Sequence, residues 1–131
     1  MTQLHRYLSR LYDIIVSRQE IAILSLEITD RSENINQPSE FHALLGFPDG
    51  SQLQISEKLV VEGYVLLKTR YAYHYQKSDG SLGFRYDNAP HHREIPTYPH
   101  HKHEAEHILP SQPPDLGDVL REIDAILYHG E

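Results

Sequence analysis

The chain has 131 residues, 39% of them hydrophobic and 24% charged, and carries a net charge of −7 with histidine neutral. That length suits one domain with a modest core of its own. There is no cysteine, which excludes disulfides, thiolate metal sites and thiol nucleophiles. No apolar run approaches the ~20 residues that span a bilayer, so no membrane partner is expected. The start, MTQLHRYLSR, is amphipathic without an apolar h-region, so no signal peptide is expected. Such a chain is compatible with a reducing cytoplasm, its expected location.

Leu4, Tyr7, Leu8, Leu11, Tyr12 and Ile15 recur at three- and four-residue steps, which predicts an amphipathic helix over 3–17 with Thr2 as N-cap. The β-branched run from Glu20 to Thr29 predicts a strand. Residues 30–39, DRSENINQPS, form a polar loop whose one apolar anchor is Ile35. Phe41–Phe47 and Ser51–Leu59 flank Pro48-Asp49-Gly50, a hairpin signal. A three-residue loop with Gly50 in the left-handed region pairs Leu45 with Leu53 and Ala43 with Ile55, keeping one face apolar.

Ser78-Asp79-Gly80-Ser81 reads as a second hairpin, with a two-residue type I′ turn at Asp79-Gly80. Pairing outward sets Tyr75 against Phe84, His74 against Arg85, Tyr73 against Tyr86 and Ala72 against Asp87. Alternation then gives one face to Val65, Leu67, Tyr71, Tyr73, Tyr75, Leu82, Phe84 and Tyr86, and the other to Lys68, Arg70, His74, Arg85 and Asp87. The tyrosine stripe reads either as core beneath two helices or as a platform on which bases stack. Residues 88–114, rich in proline and histidine, are expected to be an irregular loop. After Pro113-Pro114, Asp115 can cap a helix whose apolar positions are Leu116, Val119, Leu120, Ile123, Ile126 and Leu127. The expected fold is a single α+β domain over 1–131. One antiparallel sheet of about five strands carries an N-terminal and a C-terminal helix on one face.

The chemistry concentrates in residues 71–103, which hold six of the ten histidines and five of the nine tyrosines. Between Arg70 and Lys102 there are five basic residues against three acidic ones, a locally basic stretch in an acidic chain, suited to an anionic ligand. Cross-strand pairing puts His74 and Arg85 ~5 Å apart at Cβ. Histidine moves protons near neutral pH, arginine holds a phosphate bidentately, and Asp87 can orient either. These are the parts for acid–base cleavage of RNA with no cofactor. His74 is base or acid, Arg85 stabilises the pentavalent phosphorus with Arg70 or Lys102, and a loop histidine, His100 or His101, is the second proton carrier. Tyr86, Asn88, His91 and His92 complete the candidate substrate contacts. The bland alternative is a solvated cross-strand ion network. A metal is the rival for the histidines, with His101-x-His103 or His91-His92 as imidazoles and Asp87 or Glu104 as carboxylate, although no HExxH spacing is present.

Tyr73-His74-Tyr75-Gln76, then Phe84-Arg85-Tyr86-Asp87-Asn88-Ala89-Pro90-His91-His92, Pro99-His100-His101-Lys102-His103, and Pro110 with Pro113-Pro114-Asp115-Leu116 resemble the TumE-like toxins of type II toxin–antitoxin modules. The likeness is specific over about residues 64–123 and thin before residue 40. It implies a toxin neutralised by a helix-turn-helix antitoxin protein, with RNA as the expected substrate. A homodimer is a further candidate assembly. A non-catalytic module that grips an anionic ligand or partner through the same basic face is the alternative.

Overall fold

The computed structural model describes residues 2–34 and 36–128; Ile35, the apolar residue of the first loop, lies outside them. Helix α1 (Gln3–Val16) begins where the Thr2 hydroxyl accepts the His5 amide at 3.1 Å, and it buries Leu4, Leu8, Leu11 and Ile15. Seven strands follow in chain order, β1 (Ala22–Thr29), β2 (Ser39–Gly46), β3 (Gln52–Glu62), β4 (Val65–Gln76), β5 (Leu82–Asp87), β6 (His101–Glu104) and β7 (His107–Pro110). Each pairs antiparallel with the next, giving one sheet in sequence order. Helix α2 (Leu116–Tyr128) closes the chain. Asp115 and Asp118 exchange side chain for backbone amide at its start, 2.7 and 3.0 Å.

The buried residues of both helices share one cluster with Phe41, Leu45, Leu53, Ile55, Tyr71, Tyr73, Tyr75 and Phe84, so both helices cover the same sheet face. The tyrosine stripe is therefore core rather than a stacking platform. Glu57, fully buried in that core, accepts hydrogen bonds from Tyr7 and Tyr73, each at 2.5 Å, with Lys68 Nζ 3.6 Å away. Burial first, and the Glu57 charge second, push both phenols upward, so they stay protonated donors.

The first hairpin has the expected register, Leu45 opposite Leu53 and Ala43 opposite Ile55, with Gly50 at φ 89°. The second reaches the expected strand register by a different route. Lys77 and Ser81 close a three-residue loop at 2.9 Å, and Gly80 has positive φ while Asp79 does not, so the turn is not type I′. A bulge between Leu82 and Phe84, opposite Tyr75 and Gln76, then supplies the residue that the longer loop takes away. Tyr75 still faces Phe84, and His74 still faces Arg85. Gly83 is required there: a Cβ would lie 2.5 Å from the Tyr75 ring.

Two expectations need correction. Lys68 does not share the polar face, because a bulge at Thr69 pairs Arg70 with Lys58 but Lys68 with Leu59. Lys68 consequently lies under the core, donating to the Tyr73 hydroxyl at 2.7 Å, while Val65 and Leu67 are exposed. Residues 88–114 are not irregular throughout, and the sheet has seven strands rather than five. His101–Glu104 lengthens it because the prolines stop at Pro99 and resume at Pro110, on the edge strand, where a missing N–H is tolerated.

Candidate functional site

The face away from the helices is polar, and its centre is a groove of about 270 Å³ lined by Gln54, Ser56, Lys58, Arg70, Ala72, His74 and Arg85. Ser56 and Ala72 sit side by side across β3 and β4, and their small side chains give the groove its floor. Lys58 and Arg70, paired directly, make one wall. The other wall is a row running across strands, in which Gln54 faces His74, His74 faces Arg85, and Arg85 faces His103. In the next row Ala72 faces Asp87 and Asp87 faces His101.

These side chains form a continuous polar chain. Arg85 Nη1 donates to His74 Nδ1 at 3.3 Å, and its Nε donates to Asp87 Oδ2 at 2.9 Å. Asp87 Oδ1 receives the Ala89 amide at 3.0 Å and lies 3.0 Å from His101 Nε2. His103 Nε2 lies 3.6 Å from Asp87 Oδ2. His101 Nδ1 donates to the Pro99 carbonyl at 2.8 Å. Burial would push the Asp87 carboxyl up, but the Ala89 amide, Arg85 and His101 together hold it below the usual carboxylate range. His74 is pushed below the usual histidine range, by burial first and by the Arg85 charge second. Since a guanidinium cannot accept, His74 Nδ1 is the acceptor of the Arg85 bond.

The structure sorts the sequence candidates into two groups. His74, Arg70, Arg85, Asp87 and His101 gather on the groove face. His92 joins them, its ring 5.4 Å from that of His101 and 6.1 Å from that of His103, with His91 beside it at 6.3 Å. His100, Lys102, Tyr86 and Asn88 are turned elsewhere. His100 stacks on Tyr71 at 5.8 Å and pairs with its hydroxyl at 3.0 Å. Lys102 lies over the Phe84 and Tyr86 rings and reaches Glu104 and Glu122, each at 2.7 Å. Tyr86 donates to Glu122 at 2.6 Å. Asn88, buried, ties the Thr69 carbonyl to the Tyr71 amide at 3.0 and 2.9 Å, pinning the β4 bulge.

The family model described as Toxin TumE matches residues 12–127. The chain belongs to the TumE toxin family. A toxin family implies an antitoxin partner. No curated protein and no solved structure matches the chain. No helix among the described residues is long and apolar enough to cross a membrane.

For this TumE-family chain the sequence reading passed over Lys58, Gln54 and Ser56, and named His103 only as a rival metal ligand. The signal for His103 was present. In an extended segment period two separates His101 and His103 from His100 and Lys102, so one strand assignment sorts all four. Lys58 and Ser56 are legible only once β3 is placed against β4.

Proposed function

We propose that this toxin is a metal-independent endoribonuclease, and the observation that carries the reading is Arg85 standing between His74 and His103 in one cross-strand row. A phosphate in the groove would draw the Arg85 guanidinium onto its oxygens, which frees His74 Nδ1 to accept a proton. His74 takes the proton of the 2′-hydroxyl, and the 2′-oxygen attacks its own phosphorus. The 5′-oxygen leaves with a proton from His103, and the upstream fragment ends in a 2′,3′-cyclic phosphate. Arg85, with Arg70 and Lys58 from the facing wall, balances the extra charge on the pentavalent phosphorus. Asp87 holds Arg85 and His101 in place, and His91 and His92 extend the surface along which RNA would run. The protein would act in the cytoplasm, held in check by a helix-turn-helix antitoxin.

A second reading, a non-catalytic module for anionic ligands, is favoured by the groove lining, which has three basic residues and no carboxylate. One experiment separates the two: purified protein with structured and unstructured RNA in EDTA. An enzyme leaves cyclic phosphate ends and loses about a hundredfold on His74→Ala. Retention of uncut RNA, weakening with salt, would replace the enzyme with the binder. Cleavage that stops in chelator would overturn the metal-free mechanism.

A further inference from the structure

Beside the groove, the second row of the polar face ends in a denser cluster. Asp87, His101 and His103 each offer one ligand atom, and the three atoms lie within 4.8 Å of one another. His101 and Asp87 are 2% and 5% exposed, whereas histidine and carboxylate pairs of no consequence usually sit in water. The ring of His92 approaches from the 88–100 segment, and the His101 and His103 ring centres are 4.9 Å apart. Two imidazoles that share a tetrahedral ion, with nitrogens ~2 Å from it, hold their ring centres about 5 Å apart. The two β6 rings are thus at coordinating spacing, and the ligand atoms of the cluster, up to 4.8 Å apart, would draw in by up to about 1.5 Å around an ion.

We propose that His92, His101, His103 and Asp87 form a site for one divalent transition ion of the zinc class. Two features besides proximity support it. The Pro99 carbonyl takes the His101 Nδ1 proton and leaves Nε2 directed at Asp87, the second-sphere bond that orients metal-bound imidazoles. His92 also adopts φ 63°, a left-handed backbone rare outside glycine, at the residue that brings the fourth donor over β6. Three imidazoles and one carboxylate select zinc, copper, nickel or cobalt over magnesium and calcium, which require oxygen ligands.

The site is independent of the nuclease reading, but its consequence rests on it. An ion would occupy His103 and draw on Asp87, so it would remove the proposed proton donor from the groove. Binding would then act as a brake on metal-free cleavage.

The test uses untagged full-length protein, stripped with chelator and titrated with cobalt(II). The expected result is visible d–d absorption of a four-coordinate ion with a one-to-one endpoint, bleached by zinc. His103→Ala and His92→Ala, both partly exposed and so expected to fold, should weaken binding at least about tenfold. His107→Ala, on β7 opposite Glu104 and so on the other face of the sheet from His103, should leave it unchanged. Absence of the absorption, or its persistence in both His92→Ala and His103→Ala, overturns the site. With RNA present, stoichiometric zinc should suppress cleavage; cleavage that continues with the ion bound overturns the brake. An ion bound by a protein that cuts no RNA under any condition upholds the site and sinks the nuclease reading instead.

Discussion

His103 lies two strands from His74 on the same row of the sheet, with Arg85 as the residue between them. Neighbouring strands are ~4.8 Å apart, so the two imidazoles start about 10 Å apart at the backbone and lean over a shared guanidinium. A phosphodiester held by Arg85 would therefore meet one ring on each side. The loop histidine of the pair is fixed by pairing on β5, not by loop folding.

That placement distinguishes His103 from its neighbours. His103→Ala should reduce RNA cleavage about a hundredfold, as His74→Ala does. His100→Ala should leave cleavage near wild type, because its ring rests on Tyr71 on the helix side. Lys102→Ala should lower the melting temperature while sparing the rate, since Lys102 is anchored to Glu104 and Glu122. Single-turnover cleavage of one labelled RNA across the four variants decides the matter; a silent His103→Ala would remove it from the mechanism.

Arg85→Lys retains the charge but loses the planar fork that reaches His74 and Asp87 together. Cleavage should fall on the order of a hundredfold, the scale of losing one transition-state donor. RNA retention on a filter should change much less. Equal losses in both measurements would mean that Arg85 only binds.

Gly83→Ala places a methyl group 2.5 Å from the Tyr75 ring and 3.1 Å from its carbonyl oxygen. Overpacking of this kind costs about 1–3 kcal/mol. Urea denaturation should give a lower midpoint at unchanged slope. If stability is unaffected, the bulge does not depend on the missing side chain.

The pH dependence of stability has a defined sign at His74. Its folded value is depressed below 6.5, by burial and then by Arg85, so the unfolded chain takes up a proton that the folded chain resists. Arg85 on β5 is the charged group facing it, and Gln54 on β3 is neutral. The contribution is complete above the unfolded value of 6.5 and is lost as pH falls from there towards the lower folded value. His74→Gln should lose less stability than wild type across that window, measured by urea midpoints at several pH values. A parallel fall in both proteins would place the dependence elsewhere.

Local sequence determined the helices, both hairpins and the facing of His74 with Arg85. Those depend on period-two and period-3.6 burial and on glycines at turns, which act over a few residues. Even the mistaken turn at Asp79-Gly80 left the strand register intact, because the bulge at Gly83 offset it. Tertiary structure alone decided which histidines share the face. Residues 101–104 pair with β5 across a proline-rich segment, and such non-local pairing leaves no local trace beyond the alternation His101-x-His103. The Thr69 bulge likewise moved Lys68 into the core, since a single inserted residue reverses every side chain beyond it. The groove needs Ser56, Lys58 and Ala72 brought together from separate strands, and only the assembled sheet does that.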